Sequence, residues 1–165
     1  MKQNTLEKLK QDHRARTMVI GWREYAGLPE LGLEKIHAKI DTGARTSALH
    51  AENIRHITFD GAAWAEFEIS AFPGAEPKTV RLPIKDERSI RNTGGVPELR
   101  TIVRTKLVLA GRRWRIDLSL ADRQEMRHPI ILGRTAIRGH GLLVDCGKSY
   151  LTSKSDDYET SRRRS

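Results

Sequence analysis

Polar and apolar positions alternate along much of this chain, which is the period of strands that bury one face. Residues 36–40 (Ile-His-Ala-Lys-Ile), 54–59 and 64–71 follow it, and Asp60-Gly61 between the last two is a hairpin signal. Val80, Leu82 and Ile84 share one face of a strand over 79–84. Two more apolar runs, 101–109 and 114–120, read as a hairpin across Ala110-Gly111-Arg112. Short strands are expected at 18–22, 130–132, 142–144 and 149–152, with a helix starting after Gly133. Gly27, Pro29 and Gly32 predict a turn-rich loop, and so does the stretch 72–77. The polar stretch 85–98, which contains Thr93-Gly94-Gly95, reads as a flexible connection. Trp22, Trp64 and Trp114 fall at strand positions, where core packing is the expectation. Many short strands, few helices and no βαβ rhythm indicate an all-β barrel or sandwich.

At 165 residues the chain is the length of one domain. The strands place that domain at 18–152. Residues 1–17 form a helical or flexible extension with a short stripe at Leu6 and Leu9. Residues 153–165 form a basic tail ending Arg162-Arg163-Arg164-Ser165, either a disordered solubilising segment or an arm for RNA or acidic protein. No apolar run approaches eighteen residues, so no transmembrane helix is expected. The polar first sixteen residues lack the apolar core of a secretory signal. Cys146 is the only cysteine, which excludes an intrachain disulfide and a cysteine-only zinc site. Cytoplasmic residence fits these features. Lys and Arg number 30 against 21 Asp and Glu, a net charge of +9, so acidic substrates or polyanions are favoured partners. Aromatics are only 5% of residues, too few for a base-stacking platform, so nucleic acid would engage through the basic surface alone.

One strand end carries chemistry. The strand 36–40 runs into Asp41-Thr42-Gly43-Ala44. Gly43 lets the backbone turn sharply, Thr42 offers a hydroxyl to a partner strand, and Asp41 is presented at a loop tip. Far downstream, Ile131-Leu132-Gly133-Arg134 is an apolar strand closed by glycine. A water-activating carboxylate pair needs two acids sharing one proton. The chain has one Asp-Thr-Gly, and Asp145 in Val144-Asp145-Cys146-Gly147 has too little chain after it for a second lobe. Asp145 is therefore read as the end of a strand, and a two-fold homodimer brings two copies of Asp41 together.

These two segments, in this order, resemble the signatures of retropepsin-like aspartic peptidases. The match is closer to one bacterial branch, the RimK-associated, RimB-like family labelled ATP-dependent zinc proteases. It rests on Lys39 to His50, then Gly95, Glu98 and Arg100, then Asp122-Arg123 with Met126, then Pro129 to Arg134. The resemblance implies a retropepsin-like closed β-barrel with a short helix after the Ile-Leu-Gly-Arg strand. It implies Asp41 as the catalytic residue in a loop with Thr42, Gly43 and Ala44. Leu132, Gly133 and Arg134 would lie structurally under that loop, and Thr93, Gly94 and Gly95 would sit at a substrate-covering flap. Members are associated with ATP-grasp ligases that add glutamate to protein C-termini, so a ligase partner and a glutamylated or otherwise acidic substrate are implied.

No cofactor and no metal site is expected. The six histidines lack His-Glu-x-x-His spacing, so hydrogen-bonding or surface roles are preferred, and the absence of a Walker A sequence assigns any ATP dependence to a partner. Arg45 would meet a substrate carboxylate or pair with Glu52. Arg100 would bind a substrate carboxylate, or pair with Glu98 to order the flap. The alternative to a peptidase is a non-catalytic module docking on a ligase, a ribosomal protein or RNA. Its basis is the extra length between the two signatures and Arg45, a cation beside Asp41 that would favour the fully ionised pair.

Overall fold

The computed structural model describes residues 17–92, 94–123 and 127–152, so all but Thr17 of the expected 1–17 extension and the whole expected tail, 153–165, lie outside the described residues. Ten strands occupy most of this span: β1 (Met18–Leu28), β2 (Leu33–Ile40), β3 (Ser47–His50), β4 (Glu52–Phe59), β5 (Ala62–Ile69), β6 (Lys78–Arg91), β7 (Pro97–Leu109), β8 (Arg112–Ala121), β9 (Ile130–Leu132) and β10 (Leu142–Ser149). A one-turn 3-10 helix (Pro29–Leu31) joins β1 to β2, and a one-turn α1 (Arg134–Ile137) follows β9. The sheet order is β10-β1-β2-β9-β3-β8-β7-β6-β5-β4. A further pairing of β1 with β7 closes β1, β2, β9, β3, β8 and β7 into a ring. Its interior holds the fully buried Ile20, Ile36, Leu49, Leu107, Leu118 and Leu132. This is the all-β, retropepsin-like architecture that the alternation and the resemblance predict. No helix among the described residues is long and apolar enough to cross a membrane.

Local chemistry explains the tight turns. Asp60 (φ 52°) and Gly61 (φ 76°) both adopt the left-handed conformation between β4 and β5, as do Ala110 (φ 52°) and Gly111 (φ 72°) between β7 and β8. Two consecutive left-handed residues match the twist of the flanking strands.

Four expectations are corrected. The strand predicted over 18–22 continues to Leu28, where Gly27 sits beside Glu34 of β2 with its absent Cβ 2.9 Å from that carbonyl oxygen. The segment 85–98 is not a flexible connection: β6 and β7 form a ribbon with register pairs from Ile84↔Val103 out to Arg91↔Pro97. It reads as polar because it projects from the ring with most of its side chains exposed, so no alternation is required. The piece expected at 142–144 runs on to Ser149 as one strand, β10, parallel to β1, so Asp145 lies within the strand rather than at its end, and residues 150–152 follow it without forming a strand. A side chain on Gly21 would run into the Lys148 carbonyl and stand 2.8 Å from Ser149 Cα, so glycine there permits this approach. The tryptophans are half-buried rather than core residues. Each keeps an outward face, and Trp114 uses its indole N–H to reach the Ala136 carbonyl at 2.9 Å.

Alternation gives no hint of Glu24, a fully buried carboxylate in β1. It accepts hydrogen bonds from Gly21 N (2.8 Å), Leu151 N (2.8 Å), Thr152 N (3.4 Å) and the Thr152 hydroxyl (2.9 Å). The acid therefore ties the chain after β10 back onto β1. Glu24→Ala orphans these donors and is expected to lower the unfolding free energy by about 3 kcal/mol. Urea denaturation measures this, and an unchanged midpoint would show that Glu24 does not anchor the segment.

Candidate active site

The Asp41 loop is built where β2 ends. Lys39 and Ile40 pair in parallel with Ile131 and Leu132 of β9, and Asp41 N donates to the Leu132 carbonyl at 2.9 Å. Past that bond the chain turns. Gly43 N (3.0 Å) and Ala44 N (3.2 Å) both donate to Asp41 Oδ1, and Ala44 N also reaches the Asp41 carbonyl at 3.2 Å. One carboxylate oxygen thus organises the loop. The other, Oδ2, accepts no hydrogen bond among the described residues and is the one open to a reacting partner. Asp41 is partly exposed, and Thr42 and Gly43 are fully at the surface. The Thr42 hydroxyl makes no hydrogen bond within the described chain.

Gly133 passes directly beneath this loop. A Cβ there would lie 2.9 Å from Ala44 O, Arg45 O and Thr46 C, three backbone atoms that cannot rotate away. Contact is locked by hydrogen bonds from the segment after β9. Arg134 N donates to Ala44 O (2.8 Å), Thr135 N to Arg45 O (3.2 Å), and the Thr135 hydroxyl to Arg45 O (2.9 Å). The Arg134 guanidinium reaches forward from α1 to donate to the carbonyls of Thr42 (3.0 Å) and Gly43 (3.1 Å). Arg134 is therefore a clamp on the loop's backbone, made through its side chain. Ser47, fully buried, accepts from Gly133 N through its hydroxyl (3.0 Å) and from the Ser119 hydroxyl through its carbonyl (3.1 Å). The sequence analysis gave Ser47 no role of its own; the signal was a small polar residue four positions after Gly43, at the first position of β3.

The structure thus brings Asp41, Thr42, Gly43 and Ala44 together with Leu132, Gly133 and Arg134. The other predicted residues stand apart. Gly94 and Gly95 occupy the tip of the β6–β7 ribbon, and Thr93 between them and Asn92 lies outside the described residues. Asn92 orders the tip by accepting at its side-chain oxygen from Gly94 N and Val96 N, each at 3.0 Å. Val96 and Leu99 project their apolar side chains into solvent here. No hydrogen bond joins this tip to the Asp41 loop among the described residues. Arg100 is buried and donates to Glu98 from Nη2 (3.1 Å) and Nε (3.4 Å), so its guanidinium is engaged within the ribbon. Arg45 is exposed and forms no ion pair with Glu52, which instead faces His50.

His50, Glu52 and Asp122 place their ligand atoms within 4.8 Å of one another. Their hydrogen bonding decides how they are used. Arg123 N donates to His50 Nδ1 at 3.1 Å, so that nitrogen holds its lone pair inward. The proton of the neutral ring is then on Nε2, which donates to Glu52 Oε1 at 3.2 Å. Both ring nitrogens are engaged, and a metal ion there would have to break one of these bonds. Elsewhere, burial and the Arg23 and Lys35 cations hold the His37 imidazole below its ordinary value. Burial and Arg112 do the same for His140, which stacks on Trp114 at 4.2 Å.

Residues 19–155 match the family model described as RimB-like, retropepsin-like aspartic endopeptidase RimB. A probable alpha-L-glutamate ligase of Parasynechococcus marenigrum is 39% identical over 132 residues, covering 79% of this chain and 28% of that protein. A probable alpha-L-glutamate ligase of Shewanella pealeana is 34% identical over 143 residues, covering 86% of this chain and 31% of its own length. The chain thus spans less than a third of these curated relatives. A crystal structure of Lpg0085, a protein of unknown function (DUF785) from Legionella pneumophila, superposes with a TM-score of 0.72 at 25% identity. That alignment covers 84% of this chain and all of the other.

Proposed function

Because this chain belongs to the RimB-like family of retropepsin-like aspartic endopeptidases, we propose that it hydrolyses amide bonds in acidic, glutamate-extended protein substrates. The observation that carries the reading is the Asp41 loop. Its carboxylate has one oxygen spent on two backbone N–H groups and one left open, on a backbone clamped from below by Gly133 and Arg134. One such carboxylate is half of an acid–base pair. In a two-fold dimer the second Asp41 completes it, the exposed Thr42 hydroxyls meeting partner backbone across the axis. One carboxylate takes a proton from the attacking water while its protonated neighbour donates to the carbonyl oxygen. The roles then reverse as the tetrahedral intermediate gives up the amine. The ribbon bearing Gly94, Gly95, Val96 and Leu99 would close over the bound chain.

The substrate class rests on two supports. The chain carries a net charge of +9, and its segment-level relatives are named as probable alpha-L-glutamate ligases. A hydrolase joined to, or working beside, such a ligase would shorten what the ligase extends. Incubating the full chain with a protein carrying an α-linked glutamate extension and reading intact mass provides the test. Stepwise or endolytic loss of glutamate residues is expected. An unchanged mass across pH 4 to 8, in a preparation shown to be dimeric, would overturn the assignment and leave the non-catalytic docking module as the better reading.

A further inference from the structure

The outer face of β1 and β2 is a preorganised cationic track. Arg23 and Tyr25 of β1 pair with Lys39 and His37 of β2, and Lys35 lies two residues further along β2 on the same face. Tyr150, just past β10, stacks on Tyr25 with ring centroids 4.8 Å apart and accepts or donates a hydrogen bond with His37 Nδ1 at 2.9 Å. The cations are held by these neighbours. Arg23 lies over the Trp22 ring at 4.3 Å and donates from Nε to the Ser149 hydroxyl at 3.2 Å, and Lys35 Nζ lies over Tyr25 at 4.5 Å. Arg127 adds a further charge beside His128.

None of Arg23, Lys35, Lys39 or Arg127 forms an ion pair with a carboxylate among the described residues. His37 and His128 report the same field. After burial, every charge that lowers their affinity for protons is a cation or the other imidazole, and no acid offsets them. The one acid of this part of β1, Glu24, is fully buried and occupied by backbone donors. Positive charge concentrated on one face, fixed in place and left uncompensated, is a site for an anion.

We propose that this face is an exosite for an extended acidic polypeptide lying along β2 towards the Asp41 loop. Spacing supports a chain over a point anion. Lys35, His37 and Lys39 repeat every second residue along β2, about 6.6 Å apart, the same repeat at which an extended glutamate chain presents carboxylates on one side. Lys39 stands two residues before Asp41, so the track ends beside the candidate catalytic loop. The aromatic rings favour peptide over single-stranded nucleic acid. A base needs an open π-face, whereas Tyr25 already carries Tyr150 and Lys35, and Trp22 carries Arg23. Here the rings orient cations. The purpose assigned to the track, feeding a substrate to Asp41, rests on the proposed hydrolase reading, while binding itself does not.

Fluorescence anisotropy with a labelled deca-α-L-glutamate peptide tests it on the full chain, using wild type, Asp41→Asn, Lys35→Glu, Lys39→Glu and the conservative Lys39→Arg. The Asp41 variant is expected to bind as wild type and Lys39→Arg nearly so. Each charge reversal is expected to weaken binding tenfold or more, with circular dichroism unchanged, and affinity is expected to fall as salt rises. Equal affinity of both reversals and wild type would remove the exosite without touching the role of Asp41. Loss of binding in the reversals alongside a wild type that never cleaves would keep the exosite and remove the hydrolase. A labelled oligouridylate that binds more tightly than the glutamate peptide, and is lost in the same reversals, would overturn the acidic-peptide assignment.

Discussion

Asp41→Asn is expected to abolish amide hydrolysis while leaving the protein folded. Asn keeps a side-chain carbonyl where Asp41 Oδ1 accepts from Gly43 N and Ala44 N, so the loop should hold its shape. What disappears is the open carboxylate oxygen that takes and returns a proton. General acid–base groups are worth about 10²–10⁴-fold, and here the same residue would serve as base and, through its dimer mate, as acid. A fall in kcat of about 10³-fold or more follows, with the thermal midpoint moved by no more than about 2 °C. Mixing subunits sharpens the result. If one Asp41 from each chain builds the site, equal amounts of wild type and variant, allowed to exchange, leave about one quarter of the full activity. About one half would show that each chain works alone, and a variant as active as wild type would remove Asp41 from the chemistry.

The second large effect is Gly133→Ala. Its backbone (φ −85°, ψ 178°) suits any residue, so the cost is purely steric. The added methyl would press on Ala44 O, Arg45 O and Thr46 C at 2.9 Å, and all three belong to the backbone of the Asp41 loop or the strand that leaves it. Overpacking at an unyielding site costs about 1–3 kcal/mol, and displacing the loop would also spoil the meeting of two Asp41 residues. Reduced stability in urea together with a drop in kcat is expected. Gly94→Ala is the control, since its Cβ would meet only the Asn92 side-chain oxygen at an ordinary 3.4 Å. Equal stability of the two variants would show that the loop is free to move away from β9. Arg134→Ala separates position from packing: it removes the bonds to the Thr42 and Gly43 carbonyls from an exposed side chain. It should lower kcat more than it lowers stability, and equal loss of both would reduce Arg134 to a structural strut.

Much of the sheet was legible because alternation records which face of a strand is buried. Tight turns at Asp60-Gly61 and Ala110-Gly111 were legible for a related reason, since the left-handed conformation narrows residue choice. Alternation fails where no face is buried. The β6–β7 ribbon stands clear of the core, its side chains answer to solvent on both sides, and its polar composition looks like a loop. It fails again where a partner is remote in sequence. Glu24 meets donors from Leu151 and Thr152, and β10 lies on β1 only because Gly21 carries no side chain.

The candidate site divides along the same line. Asp41-Thr42-Gly43 and Leu132-Gly133-Arg134 are each local strings, and their pairing was readable as a resemblance. By itself, then, the sequence determined an all-β chain with one acidic turn and one glycine-closed apolar strand, because side-chain period and turn chemistry are local properties. Only the tertiary structure decided that the Arg134 guanidinium is spent on the Thr42 and Gly43 carbonyls and that Arg100 is spent on Glu98. It also decided that Arg23, Lys35 and Lys39 line up on one face without a counter-charge. Those are contacts between distant segments, set by strand order and register, and no local pattern encodes them.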